Sequence, residues 1–247
     1  MNKIQENSGK TMEEKMKKVG IIGAMELEVE ALKAQMKVER IIEKAQMKFF
    51  EGTLGGTEVV VVQCGIGKVN AGMCVQILAD LFDVTAIINT GVAGSLCNDI
   101  NIGDIVVSTE SVQHDMDVTA LGYEPGVIPQ LETSVFLADE HMVNLATEVC
   151  KEVNPDISVF TGRVVSGDQF ISSAEQKERL SGVFKGSCAE MEGAAIAQAA
   201  YLNHVPYVVI RAISDKADGS AQMDYPTFER AAAAHSAKLV EHMIGRI

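Results

Sequence analysis

The chain has 247 residues, 47% of them hydrophobic and 22% charged, which suits a soluble globular protein with a sizeable core. A formal net charge of −13 repels phosphate backbones, so nucleic acid and anionic membrane surfaces are poor partners. The five cysteines are widely spaced, odd in number and free of any C-x-x-C pair, which fits reduced thiols in a cytoplasmic protein.

Residues 1–17 are charged and unlike the rest of the chain in composition, so they are set apart as a disordered or tag-like extension, with 18–247 read as one domain. They lack the apolar stretch of a signal peptide, and no run in the chain approaches the length of a transmembrane helix. The pattern predicts a first strand over Lys18–Ile22, then a helix over Glu26–Lys37 with Leu27, Ala31, Leu32 and Ala34 at helical spacing. Gly55-Gly56 between Met47–Leu54 and Thr57–Gln63 signals a hairpin. Gly65-Ile66-Gly67-Lys68 leads into a helix at Val69–Leu81. Thr85–Asn89 reads as a buried strand that ends in a loop, Thr90-Gly91-Val92-Ala93-Gly94. Asp104–Thr109 and Ser111–Val118 read as two further strands, and Thr119–Ser134 as a long loop of the kind that usually carries function.

Beyond it come a helix over Asp139–Glu152, a strand over Ser158–Ser166 and a short helix over Ser173–Leu180 capped by Ser172 or Ser173. Ser187–Ala200 then places Glu190 and Glu192 directly before a small-residue helix. A strand at Tyr207–Ile213 and a helix at Thr227–Ile244 complete the chain. Alternating strands and helices with one hairpin predict an α/β fold, three layers deep, around a mixed central sheet.

Two motifs invite a reading that their spacing refuses. Gly65-Ile66-Gly67-Lys68 lacks both the first glycine and the Ser/Thr of a phosphate loop, with Val62 and Val69 in those places. His114-Asp115-Met116-Asp117 offers metal-ligand chemistry, but on a strand its histidine and its aspartates face opposite sides. The acidic residues are better placed. Glu28 follows the first strand, Glu190 and Glu192 precede a helix, and Asp215 follows the last strand with Arg211 nearby. Carboxylates from separate strand ends, one a base and one an acid, suit glycosidic-bond hydrolysis. Alone, Glu190-Met191-Glu192 fits equally a grip on a ribose diol or two solvated glutamates at a helix start.

Seven segments in order carry a resemblance: Gly23–Glu28, Gly65–Val69, Asn89–Gly94, His114–Thr119, Val165–Ile171, Ala189–Glu192 and Arg211–Asp215. The chain resembles the bacterial 5′-methylthioadenosine/S-adenosylhomocysteine nucleosidases of the nucleoside phosphorylase superfamily, from Lys18 to the C-terminus. The resemblance implies Glu28 as the base that activates water and Asp215 as the acid that protonates adenine, oriented by Ser214. It implies adenine held at Phe170 and Ile171, and ribose at Met191 and Glu192, with Glu190 beside them. Ala93 and Gly94 would admit the nucleoside against backbone, with Arg211 close to the water. No metal or cofactor is implied, and the partner expected is a second copy of the chain. In that homodimer Leu121 and Pro129 would wall the neighbour's pocket.

One departure is Val92, where the family often has Ser; losing that hydroxyl makes the water lean more on Glu28 and Arg211. Two alternatives stay open. One is hydrolysis of another 5′-modified adenosine such as aminodeoxyfutalosine. The other is nucleoside binding without turnover, which would need neither Glu28 nor Asp215.

Overall fold

The computed structural model describes residues 18–247, so the extension over 1–17 lies outside the described residues. Strands β1 (Lys18–Gly23), β2 (Lys37–Lys44), β3 (Met47–Leu54), β4 (Thr57–Gln63), β5 (Ala86–Ser95), β6 (Ile105–Gln113), β7 (Phe136–Leu137), β8 (Val159–Ser166), β9 (Cys188–Glu190) and β10 (Tyr207–Asp215) form one ten-stranded sheet. The sheet is mixed: β1 runs parallel to β4 and β5, and β5 runs parallel to β10, whereas β2, β3 and β4 form an antiparallel meander. The pairings β5–β10, β10–β6, β6–β8, β8–β9 and β9–β5 close on themselves, so half of the sheet curls into a ring.

Helices cover both faces. On one side α1 (Glu26–Gln35), α3 (Glu140–Val153) and α6 (Ala221–Ile244) bury Val29, Leu32, Met142, Val149, Leu239 and Val240 against alternate residues of β1, β4, β5, β6 and β10. On the other, α2 (Lys68–Phe82) and α5 (Gly193–Leu202) bury Cys74, Leu78, Ile196 and Ala200 against the opposite set, Ile22, Val60, Val62 and Ile87. That two-sided burial is why the parallel strands read as continuous apolar runs. A smaller cluster under α4 (Ala174–Val183) holds Leu180, Phe184 and Ile171. The α/β architecture with a mixed central sheet is therefore as the strand–helix alternation predicts. All five cysteines are unpaired, and no helix of the described residues is long and apolar enough to cross a membrane.

Several boundaries differ from expectation, each for a physical reason. The first helix stops at Gln35, and Lys37–Lys44 is a strand that the sequence did not announce. This edge strand is exposed on both faces along most of its length, so it has no alternation to read. The expected loop at Thr90–Gly94 is strand instead: β5 continues to Ser95 because Gly91, Val92 and Ala93 pair with Arg211, Ala212 and Ile213. The two strands expected at 104–118 are one, ending at Gln113, and His114–Asp117 turns away from the sheet. The last helix starts at Ala221 rather than Thr227, with Pro226 inside it. The short β9 has no sequence signature, because three residues carry no period. By contrast, both hairpin strands have the expected limits, and Ser173 caps α4 by accepting the Gln176 N–H at 3.2 Å.

Candidate active site

A cavity of about 320 Å³ opens just past the C-terminal end of β1 and beside the C-terminal parts of β5 and β10, which run on together beyond it. This is the usual ligand position in open α/β sheets. The turn from β1 into α1 brings Glu28 in first. As third residue of α1 it folds back on its own helix start, where Oε2 accepts the N–H of Ala24 at 2.7 Å and of Met25 at 2.9 Å. Its Oε1 accepts the Val92 N–H from β5 at 3.0 Å. Burial pushes the Glu28 carboxyl up from its ordinary value, against the opposing pull of Arg211 and these three N–H groups.

Arg211, in β10, is fully buried. Its Nη2 donates to Glu190 Oε2 and to Asn89 Oδ1, its Nη1 donates to the Val92 carbonyl at 3.4 Å, and Glu192 Oε2 lies 3.6 Å from Nη2. A guanidinium among Glu28, Glu190 and Glu192 offsets charge that a dry site could not otherwise hold. Glu192, the residue before α5, is pushed up to about 7 by burial and by Glu190, partly countered by Arg211. Its Oε1 accepts the Gly67 N–H at 2.8 Å.

Glu190 is occupied differently. Oε1 takes the Ser166 hydroxyl, and Oε2 takes the N–H groups of Glu192 (3.0 Å) and Gly193 (2.7 Å) besides Arg211. Both oxygens are thus spent on holding the start of α5, although the residue lines the cavity.

Asp215 ends β10 on the same cavity. Its Oδ2 accepts the Ser214 hydroxyl at 2.9 Å and its Oδ1 the Ala217 N–H at 2.8 Å. Burial pushes its carboxyl up; Ala217 and Ser214 oppose this, and Asp224 and Asp218 add to it. Ala93, Gly94, Met191 and Ser214 also line the cavity, and Phe170 stands half-exposed at its mouth, edge-on to Tyr225 with ring centroids 5.6 Å apart. Ile171 alone among the expected site residues is not in the lining, its side chain being buried beside Leu180 and Phe184.

Five lining residues had no assigned part in the sequence reading: Ala24, Met25, Ile66, Ala189 and Tyr225. Met25 and Ile66 lie in glycine-bearing turns that were singled out, so position could have found them. Tyr225 could not be found that way, because Pro226 hid the helix that carries it.

Gly91 leaves the space that this group needs at its centre. A Cβ there would sit 2.2 Å from Arg211 Nη1 and 2.4 Å from Glu28 Oε1. Gly91→Ala is therefore expected to displace both groups, destabilising the fold by about 1–3 kcal/mol and abolishing activity. Thermal unfolding together with turnover checks this, and a fully active variant would show that the two side chains have room to move.

The sequence profile of the phosphorylase superfamily matches residues 18–245. A 5′-methylthioadenosine/S-adenosylhomocysteine nucleosidase of Staphylococcus aureus (strain JH9) is 41% identical over 93% of this chain and 100% of its own length. The crystal structure of the like-named enzyme from Neisseria meningitidis, in complex with methylthio-immucillin-A, superposes with a TM-score of 0.90 at 37% identity, covering 94% of this chain and 100% of that one. A futalosine hydrolase of Helicobacter pylori superposes with a TM-score of 0.88 at 35% identity, covering 94% and 99%. With Glu28, Glu192, Arg211 and Asp215 gathered on one cavity of this fold, the chain belongs to the phosphorylase superfamily, in the family of 5′-methylthioadenosine/S-adenosylhomocysteine nucleosidases.

Proposed function

We propose that residues 18–247 act as one cytoplasmic nucleosidase domain that hydrolyses the N-glycosidic bond of 5′-methylthioadenosine and S-adenosylhomocysteine, releasing adenine and the 5-thioribose product. The observation that carries the reading is the pair of buried carboxylates, Glu28 from the start of the helix after β1 and Asp215 from the end of β10, entering one cavity. Adenine leaves poorly until nitrogen-7 is protonated. Asp215 supplies that proton, and Ser214 fixes the carboxyl's orientation. As the bond breaks, the ribose gains oxocarbenium character and needs only a weak nucleophile, a water from which Glu28 takes the proton. Glu192 accepts the ribose hydroxyls, Met191 lies against the sugar, and Phe170 and the backbone near Ile171 hold adenine. Val92 offers no hydroxyl to the water, but its backbone N–H still fixes Glu28.

Hydrolysis is favoured over phosphorolysis by how the start of α2 is used. The N–H groups of Gly67 and Lys68, which could bind an anion, are taken by Glu192 Oε1 and Asp168 Oδ1, each at 2.8 Å. Incubation with methylthioadenosine, with and without inorganic phosphate, tests the reading. Free adenine at a phosphate-independent rate is expected; a ribose-1-phosphate derivative would overturn it. The likeness to a futalosine hydrolase supports a second reading, in which aminodeoxyfutalosine is the better substrate; competition between the two substrates decides it.

We further read the active assembly as a two-fold homodimer. The loop 119–134 divides its apolar side chains: Ile128 and Leu131 pack on the core, while Leu121 remains 74% exposed with Tyr123 beside it. Leu121 and Pro129 would then wall the neighbour's pocket around the 5′-thioether. Leu121→Asp should weaken the dimer and raise KM together, and sedimentation of a fully active wild-type monomer would refute this.

A further inference from the structure

Two motifs supply no acid or base to the reaction just described, the turn at Gly65–Lys68 and the run at His114–Asp117. The structure joins them just outside the cavity. Lys68 Nζ donates to Asp115 Oδ1 at 2.6 Å and to Gln113 Oε1 at 3.0 Å. The other oxygen of that carboxylate, Asp115 Oδ2, accepts the backbone N–H of Asp168 at 2.9 Å. Asp168 Oδ1 accepts the backbone N–H of Lys68 at 2.8 Å, which closes a ring of three residues. Each side of this ring continues into the cavity. On one side, the neighbouring Gly67 N–H holds Glu192; on the other, Phe170 follows Asp168 by two residues.

We propose that Asp115 is a positioning residue, whose two carboxylate oxygens fasten the turn that aims Glu192 to the loop that presents Phe170. What those two ends hold, ribose and adenine, rests on the function proposed above; the bridge itself does not. The two bonds use different oxygens, so they form together, and each fixes a separate segment of chain. Lys68 and Asp115 side chains are only 20% and 15% exposed, so their pairing is less screened than that of a surface pair. Burial pushes the Asp115 carboxyl up, but the Lys68 ammonium and the Asp168 N–H outweigh it and hold the group below its ordinary value. The carboxylate therefore stays ionised at neutral pH.

The neighbouring His114 presses the same loop from another side. A Cβ on Gly167 would lie 2.5 Å from His114 Cε1, so the loop fits there only as glycine. Neither ring nitrogen of His114 has a partner among the described residues, and burial holds the imidazole below its ordinary value despite Asp115. It acts as a neutral packing surface, and the polar hold on the loop comes from Asp115, from the Lys68 N–H on Asp168 and from the Gly167 N–H, which donates to the Glu190 carbonyl at 3.2 Å.

The test uses the full chain with Asp115→Asn, Asp115→Ala, Lys68→Met and the Asp115→Asn/Lys68→Met double variant. Asparagine keeps the size of the side chain, and its single oxygen cannot serve both donors. KM and kcat for methylthioadenosine, the Kd of adenine by calorimetry and the unfolding midpoint are measured for each. Losing a bond to a charged group at both binding segments should raise KM and the adenine Kd roughly tenfold, with kcat much less affected. The double variant should add no more than about twofold, because both changes cut one bridge. KM and adenine Kd within about twofold of wild type in Asp115→Asn would overturn the proposal, even if the unfolding midpoint falls, since that result marks a purely structural ion pair. Wild type that binds adenine but releases none from methylthioadenosine would overturn the proposed activity instead, and the adenine Kd then decides the bridge alone.

Discussion

Asp215→Asn is expected to slow adenine release on the order of a hundredfold or more while leaving nucleoside affinity close to wild type. The substitution is nearly isosteric. Its amide oxygen still accepts the Ala217 N–H, now 2.8 Å from Oδ1, and its NH₂ can donate to the Ser214 hydroxyl, now 2.9 Å from Oδ2. Gly94, where a Cβ would approach Asp215 Oδ1 to 2.8 Å, leaves the same space for either side chain. The only loss is the proton. Since Asp215 must carry that proton, activity should fall as pH rises through its raised value, which burial and the nearby Asp224 and Asp218 sustain. That alkaline limb should be missing from the residual activity of the variant. Turnover within a few-fold of wild type would show that another group protonates the base.

Glu28→Gln should cost a comparable factor, on the order of a hundredfold, for a different reason. An amide cannot take a proton from water at neutral pH. Structure works in two directions here. The wild-type carboxylate accepts three backbone N–H groups, and glutamine turned to satisfy Ala24 and Met25 sets its NH₂ against the Val92 N–H. An orphaned buried donor costs about 1–3 kcal/mol. Against that, burial pushes the Glu28 carboxyl up, so the site holds the ionised form less readily than water does, and a neutral amide avoids that cost. These effects oppose one another in stability, whereas the loss of the base falls on rate. Wild-type activity should decline as pH drops through the raised Glu28 value, because the base must be ionised. A variant retaining most of its turnover would remove Glu28 from the mechanism.

Some of this was legible in the chain because local pattern and tertiary structure agree. Gly55-Gly56 between two alternating runs set the hairpin, since its turn chemistry lies within the dipeptide itself. Apolar runs followed at once by helical spacing placed Glu28 after one strand and Asp215 at the end of another. Parallel strands then bring such ends together whatever their separation in sequence.

Other features depended on partners that no local window contains. Thr90–Gly94 reads as a glycine loop until β10 pairs with it, and Gly91 is needed there because two charged side chains from elsewhere cross above it. Glu190 and Glu192 are two positions apart and chemically identical. Both line the cavity, but Glu190 spends both oxygens on a helix start and Arg211, while Glu192 gives one oxygen to the Gly67 N–H. His114–Asp117 turns away from the sheet, and its Asp115 pairs with Lys68, neither of which the run itself shows. By itself the sequence determined the α/β alternation, the hairpin and which carboxylates end strands, because those depend on residue period and turn chemistry over a few positions. Tertiary structure alone decided which carboxylate has both oxygens occupied, where the glycines must stand and what Asp115 joins, because those depend on charges and N–H groups brought from distant parts of the chain.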